Sequence, residues 1–114
     1  MDENLFKNNI KTFLNSAELV YNTQDFTSAT ILYFKALFTA IDIIILKNKG
    51  KIPKDHSERF RILELFEPVL YSLLDKIYPI YRNTYTTTIN KETCDKIKEN
   101  VKRIIKEQKI LEDN

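Results

Sequence analysis

The chain has little of what breaks helices and little of what carries most protein chemistry. Its 114 residues include one glycine, three prolines, one cysteine, one histidine and no tryptophan. With Cys94 as the sole cysteine, an intrachain disulfide, a disulfide scaffold and a thiolate zinc site are all excluded, and an intracellular setting is the default. With His56 as the sole histidine, few groups can shuttle protons near neutral pH. A surplus of one charge is also missing. Eighteen basic and 16 acidic residues give +2, too balanced to announce nucleic-acid binding. The N-terminal MDENLFKNNIK has acidic and amide residues where a signal peptide would have a basic start and an apolar run, so the chain is expected to stay in the cytoplasm.

What is present is helical periodicity. Scarce glycine and proline, with β-branched alternation confined to residues 85–89, predict an all-α fold: an antiparallel bundle of four to five helices in a single domain over residues 1–114. Helix one is expected from Asp2 to Tyr21, with Phe6, Ile10, Phe13, Leu14, Ala17 and Tyr21 at helical spacing. Asp25 caps helix two, Gly50 suits a left-handed C-terminal cap, Pro53 follows as a stop, and Asp55 or Ser57 opens the third helix. That helix should break near Pro68, resume over residues 69–78, and end at Pro79. Residues 81–89, with a run of three threonines and no apolar face, read as a connection. Asn90 then caps the last helix, whose buried stripe is Cys94, Ile97, Val101, Ile104 and Ile105.

Helix two is the most informative segment. It is apolar around most of its circumference, yet Ser28, Lys35, Thr39, Asp42 and Lys49 recur at seven, four, three and seven residues and share one face. Such a helix is a central post covered on two or more sides. It is long enough to span a bilayer, but Lys35 and Asp42 would be costly in lipid, so no membrane partner is expected. The apolar excess, together with tyrosines near the broken helix, predicts a symmetric homodimer that buries the surplus.

Charge distribution adds little. Residues 1–50 hold five groups of each sign, and residues 91–111 hold seven basic against four acidic, so a small basic surplus lies on the last helix. Lys47, Lys49, Lys51 and Lys54 around Gly50 read as a solvated helix end. Glu64 with Glu67, and Asp95 with Glu99, have metal-compatible spacing but no further ligand, so no metal and no cofactor are expected.

Several segments together carry a family likeness: Ala17-Glu18-Leu19, Asp25-Phe26 with Ala29, Phe34-Lys35-Ala36-Leu37, Gly50, Pro53 to His56, and Tyr81-Arg82-Asn83 ahead of Tyr85. In this order they resemble the HEPN family (higher-eukaryote and prokaryote nucleotide-binding domain) of small archaeal and bacterial type, over nearly the whole chain. The resemblance implies a small helical bundle that dimerises and works beside a minimal nucleotidyltransferase as a toxin and antitoxin pair. Active members are metal-independent ribonucleases that use an Arg, a polar residue after it, and a His four to six residues beyond.

Arg82 and Asn83 fit the first two positions, but residues 84–89 contain no His. Cleavage by attack of a 2′-hydroxyl needs a group that moves protons near neutral pH, and threonine cannot do that. The expected function is therefore a non-catalytic interaction module. The alternatives are a ribonuclease with a substitute for the missing His and an RNA or nucleotide binder that uses Arg82. His56 reads as a structural residue opening the third helix, and Cys94 as core. The candidate phosphate, RNA or polar cleft comprises Arg82, Asn83, Lys35, Thr39, Asp42 and Tyr85, with Arg82 expected beside Asp42 or Thr39.

Overall fold

A computed structural model describes residues 3–112. It has five α-helices: α1 (Glu3–Asn22), α2 (Phe26–Lys49), α3 (His56–Phe66), α4 (Pro68–Asn83) and α5 (Lys91–Glu107). No strand occurs among the described residues. Asp2, the expected start of the first helix, lies outside them.

The helix boundaries follow from local chemistry. The carboxylates of Asp25 and Asp55 accept the backbone N–H of Ser28 and Glu58, at 3.0 and 2.9 Å, and the Asn90 amide oxygen accepts that of Thr93 at 2.8 Å. Each supplies one of the donors that a helix start leaves unsatisfied. Gly50 sits at φ 71° and donates its N–H to the Leu46 carbonyl, closing α2 in the left-handed conformation that a side chain would resist. Glu67 ends α3 and precedes α4, and Pro68 occupies the first turn of α4, where its missing N–H costs nothing.

Pro79 does not end α4, contrary to the expectation from sequence. The helix runs through it to Asn83, so Tyr81, Arg82 and Asn83 belong to its last turn and not to a connection. Proline removes one hydrogen bond, but Asp75 and Pro79 both lie on the exposed side, where water can satisfy the carbonyl left without a partner. Tyr78 and Tyr81, on either side, are anchored in an aromatic cluster with Phe38 that holds the helical turn in place.

α2 is the post of the bundle. It packs most extensively on α1, then on α5, and touches α4, while α3 packs on α4. Twelve of its residues are buried, among them Tyr33, Phe34, Leu37, Ile41, Ile43 and Ile45. It is long and apolar enough to cross a membrane, but two-thirds of its most apolar window (67%) is buried against the rest of the chain. The apolar surplus that suggested a dimer is thus largely covered within one chain. All five residues of the α5 stripe are buried as expected. On α3, Ile62 and Leu63 are buried while Leu65 and Phe66 face water.

Candidate functional site

The polar stripe of α2 does meet an arginine, but the arginine is Arg59. Its Nε donates to Asp42 Oδ1 at 2.8 Å and its Nη2 to Asp42 Oδ2 at 2.9 Å, a bidentate pair between α2 and α3. Arg59 is only 8% exposed. Both oxygens of Asp42 are therefore engaged, and Thr39 spends its hydroxyl on the Lys35 carbonyl at 2.8 Å. Arg82 is not beside either of them. It lies exposed in the last turn of α4, where the partial negative charge of a helix C-terminus favours a cation. A shallow depression of about 360 Å³ beside it is lined by Pro79, Asn83 and Thr86, not by Lys35, Thr39 or Asp42. Among the described residues no hydrogen bond or ion pair joins Arg82 or Asn83 to Lys35, Thr39 or Asp42, and the expected contact of Arg82 with Asp42 is made by Arg59 instead. The physical reason is that α3 lies over Asp42 and supplies a nearer, buried guanidinium.

His56 opens α3 one turn before Arg59, and Arg59 Nη1 lies 2.7 Å from His56 Nδ1. A guanidinium can only donate, so Nδ1 must accept and the ring proton must sit on Nε2. The ring is flanked by Phe38, Tyr78 and Tyr81, with centroids 4.8, 5.5 and 5.8 Å away. Burial, and then the Arg59 charge, push the imidazole below its ordinary range and hold it neutral. In this state Nδ1 of the only histidine is engaged by a donor. The nitrogen that could take a proton is occupied by Arg59, and the other nitrogen already carries one.

The tyrosines near the broken helix are mostly packing. Tyr78 and Tyr81 are half-buried against Phe38, and Tyr71 sets its ring edge against Phe60. Phe66 belongs elsewhere, with Lys49 Nζ 3.3 Å above its ring. Only Tyr85 is open, at 75% exposure, its hydroxyl 3.3 Å from that of Tyr81. That contact, followed by burial, pushes the Tyr81 phenol up to about 12. The Tyr81 hydroxyl is therefore unsuited to proton transfer near neutrality.

A second polar cluster ties the other side of the bundle. Glu18 on α1 accepts from the Tyr33 hydroxyl at 2.7 Å and pairs with Lys98 and Lys102 of α5 at 3.2 and 2.9 Å. Those contacts, Lys102 first, hold its carboxyl at about 2. Tyr21 donates to Asp95, which also pairs with Lys91. Much of the basic surplus of the last helix is thereby neutralised internally. Cys94 is fully buried and its thiol is pushed up by burial, which makes it a poor nucleophile. No group of three or more metal-ligating side chains occurs among the described residues.

Arg59 is the residue that reading the sequence missed. The signal was available: Arg59 stands three and four residues before Ile62 and Leu63 and shares their buried face, and a carboxylate on a core helix needs a partner. Comparison with protein-family models, with curated proteins and with solved structures finds no match to this chain.

Proposed function

We propose that this protein is a HEPN-like interaction module, dimeric and non-catalytic, that acts in the cytoplasm with a partner protein. The class of partner, a minimal nucleotidyltransferase in a toxin-antitoxin-like pair, comes from the resemblance of Arg82-Asn83 and the segments before it. The observation that carries the non-catalytic reading is the state of His56. The one side chain able to replace the missing motif histidine is held neutral, with its accepting nitrogen bound by Arg59. Incubation of the purified chain with a mixed set of RNAs, without metal, is expected to give no specific cleavage, and Arg82→Ala and His56→Gln should leave the result unchanged. Specific products that vanish in either variant would overturn this reading and establish a ribonuclease.

One observation favours a second reading, phosphate binding at Arg82. That guanidinium is exposed, has no carboxylate partner among the described residues, and stands three residues from the open ring of Tyr85. An exposed arginine and an exposed aromatic ring three residues apart suit single-stranded RNA. Binding of this kind should weaken steeply with salt and be lost in Arg82→Ala. Salt-independent retention of RNA would exclude it.

A further inference from the structure

α3 is fastened to α2 at both ends. At its far end Phe66 lies under the Lys49 ammonium, and the Glu67 carboxylate that follows accepts from the Asn48 amide. At its start the fastening has two parts that differ in kind: the bidentate pair of Arg59 with Asp42, and the His56 ring, set among Phe38, Tyr78 and Tyr81 with Nδ1 accepting from Arg59 Nη1. Arg59 keeps its charge wherever a histidine titrates, whereas the second part requires a ring nitrogen without a proton.

An imidazolium carries a proton on both nitrogens. It would set a second donor and a second positive charge against a guanidinium 2.7 Å away, so one of the two groups must leave. Arg59 is 8% exposed and held by both oxygens of Asp42, and moving it would strand two buried charges. His56 is half-buried, has one side-chain hydrogen bond to lose, and stands at the first residue of α3, where a helix leaves the backbone N–H without a helical partner and its dipole disfavours a cation. The groups facing the ring set its direction. Arg59 in α3 and Lys35 on α2 oppose a charge on it, Asp42 on α2 and Asp55 in the turn before α3 favour one, and α4 presents only the uncharged phenols of Tyr78 and Tyr81. Asp42 is closed by Arg59, which leaves Asp55, on the solvent side, as the carboxylate the ring can turn to.

We propose that His56 is a proton-operated latch: on protonation its ring leaves the slot between Phe38, Tyr78 and Tyr81 and frees the first turn of α3 from α2, while Arg59 stays on Asp42 and the bundle stays folded. The latch is closed at neutral pH. The docked ring takes up a proton less readily than a free imidazole, so acid selects the released state. What acid uncovers is an aromatic slot beside Tyr81, the ring on which Tyr85 rests.

Proton and nitrogen NMR of the full chain from pH 8 to pH 5 tests this. His56 should show the Nε2–H tautomer at pH 8 and follow a one-proton titration with its midpoint below the ordinary 6.5. The ring resonances of Phe38, Tyr78 and Tyr81 and the amides of the first turn of α3 should shift along the same curve, and the Arg59 Nε–H signal should persist to the acid end. In His56→Gln, whose amide oxygen can accept from Arg59 but takes up no proton, that curve should be lost. A ring that stays neutral down to pH 5, or that titrates while Phe38, Tyr78 and Tyr81 remain unmoved, would overturn the latch. Loss of the Arg59 signal or of the whole folded spectrum at the same midpoint would also overturn it, because the step would then be unfolding, and the wild-type curves decide this even where the variant does not fold.

Discussion

Removing the Asp42 carboxylate should be the most damaging polar substitution in the chain. Asp42 and Arg59 have side chains 15% and 9% exposed, and they meet through two parallel hydrogen bonds. Asp42→Ala would leave a buried guanidinium with His56 Nδ1 as its one remaining side-chain acceptor. Breaking one side of a buried pair costs about 3–5 kcal/mol, because the surviving charge stays desolvated without its partner. Against a total stability of about 5–15 kcal/mol, that is a large fraction. For a chain of this size it corresponds to a fall of about 10–20 °C in the thermal midpoint. Urea unfolding followed by circular dichroism at pH 7.5 should show a lower midpoint with an unchanged slope, the mark of lost stability without a changed transition. The double variant Asp42→Leu with Arg59→Met removes both charges and their desolvation, and should recover most of the loss. A cost below about 1 kcal/mol for Asp42→Ala would refute the assignment of a buried, mutually dependent pair.

Two further outcomes concern pH. His56 titrates below its ordinary value of 6.5 in the folded chain, so the unfolded chain binds the proton first. Stability should therefore be full above pH 6.5 and decline as pH falls toward the folded value, and His56→Gln should flatten that part of the profile in urea titrations across pH 5–8. Glu18 is lowered from 4.5 to about 2, so its contribution is full above pH 4.5 and is lost as pH falls through about 2. Its side chain is 39% exposed. Solvent screening then leaves an expected cost of about 1 kcal/mol for Glu18→Gln at pH 7, measured by the same unfolding assay, and the difference from wild type should shrink steadily as pH falls from 4.5 toward 2.

Much of the fold was legible because its determinants are local. Asp25, Asp55 and Asn90 each satisfy an N–H three residues on, and Gly50 meets a left-handed turn, so four helix ends could be placed without knowing what packs on what. The α5 stripe was legible for the same reason, since five apolar residues at helical spacing admit one buried face. Pro79 was misread because the rule that proline ends a helix is also local. The aromatic contacts of Tyr78 and Tyr81 with Phe38 come from a helix some forty residues earlier in the chain, and they outweigh the one hydrogen bond that Pro79 removes.

Arg82 is not the partner of Asp42 for a different reason, which concerns how a carboxylate on a core helix chooses its partner. Asp42 required a cation, and Arg82 and Arg59 both lay within reach of a plausible fold. An exposed arginine at a helix C-terminus is already well solvated and favoured by the local dipole, so bringing it onto Asp42 would gain little. Arg59 has no such alternative. Its position among Phe60, Ile62 and Leu63 carries it inward, where a guanidinium without a carboxylate would be severely penalised. Two buried groups of opposite charge therefore satisfy each other, and His56 takes one of the remaining guanidinium donors. The interior polarity of this bundle is thus closed upon itself.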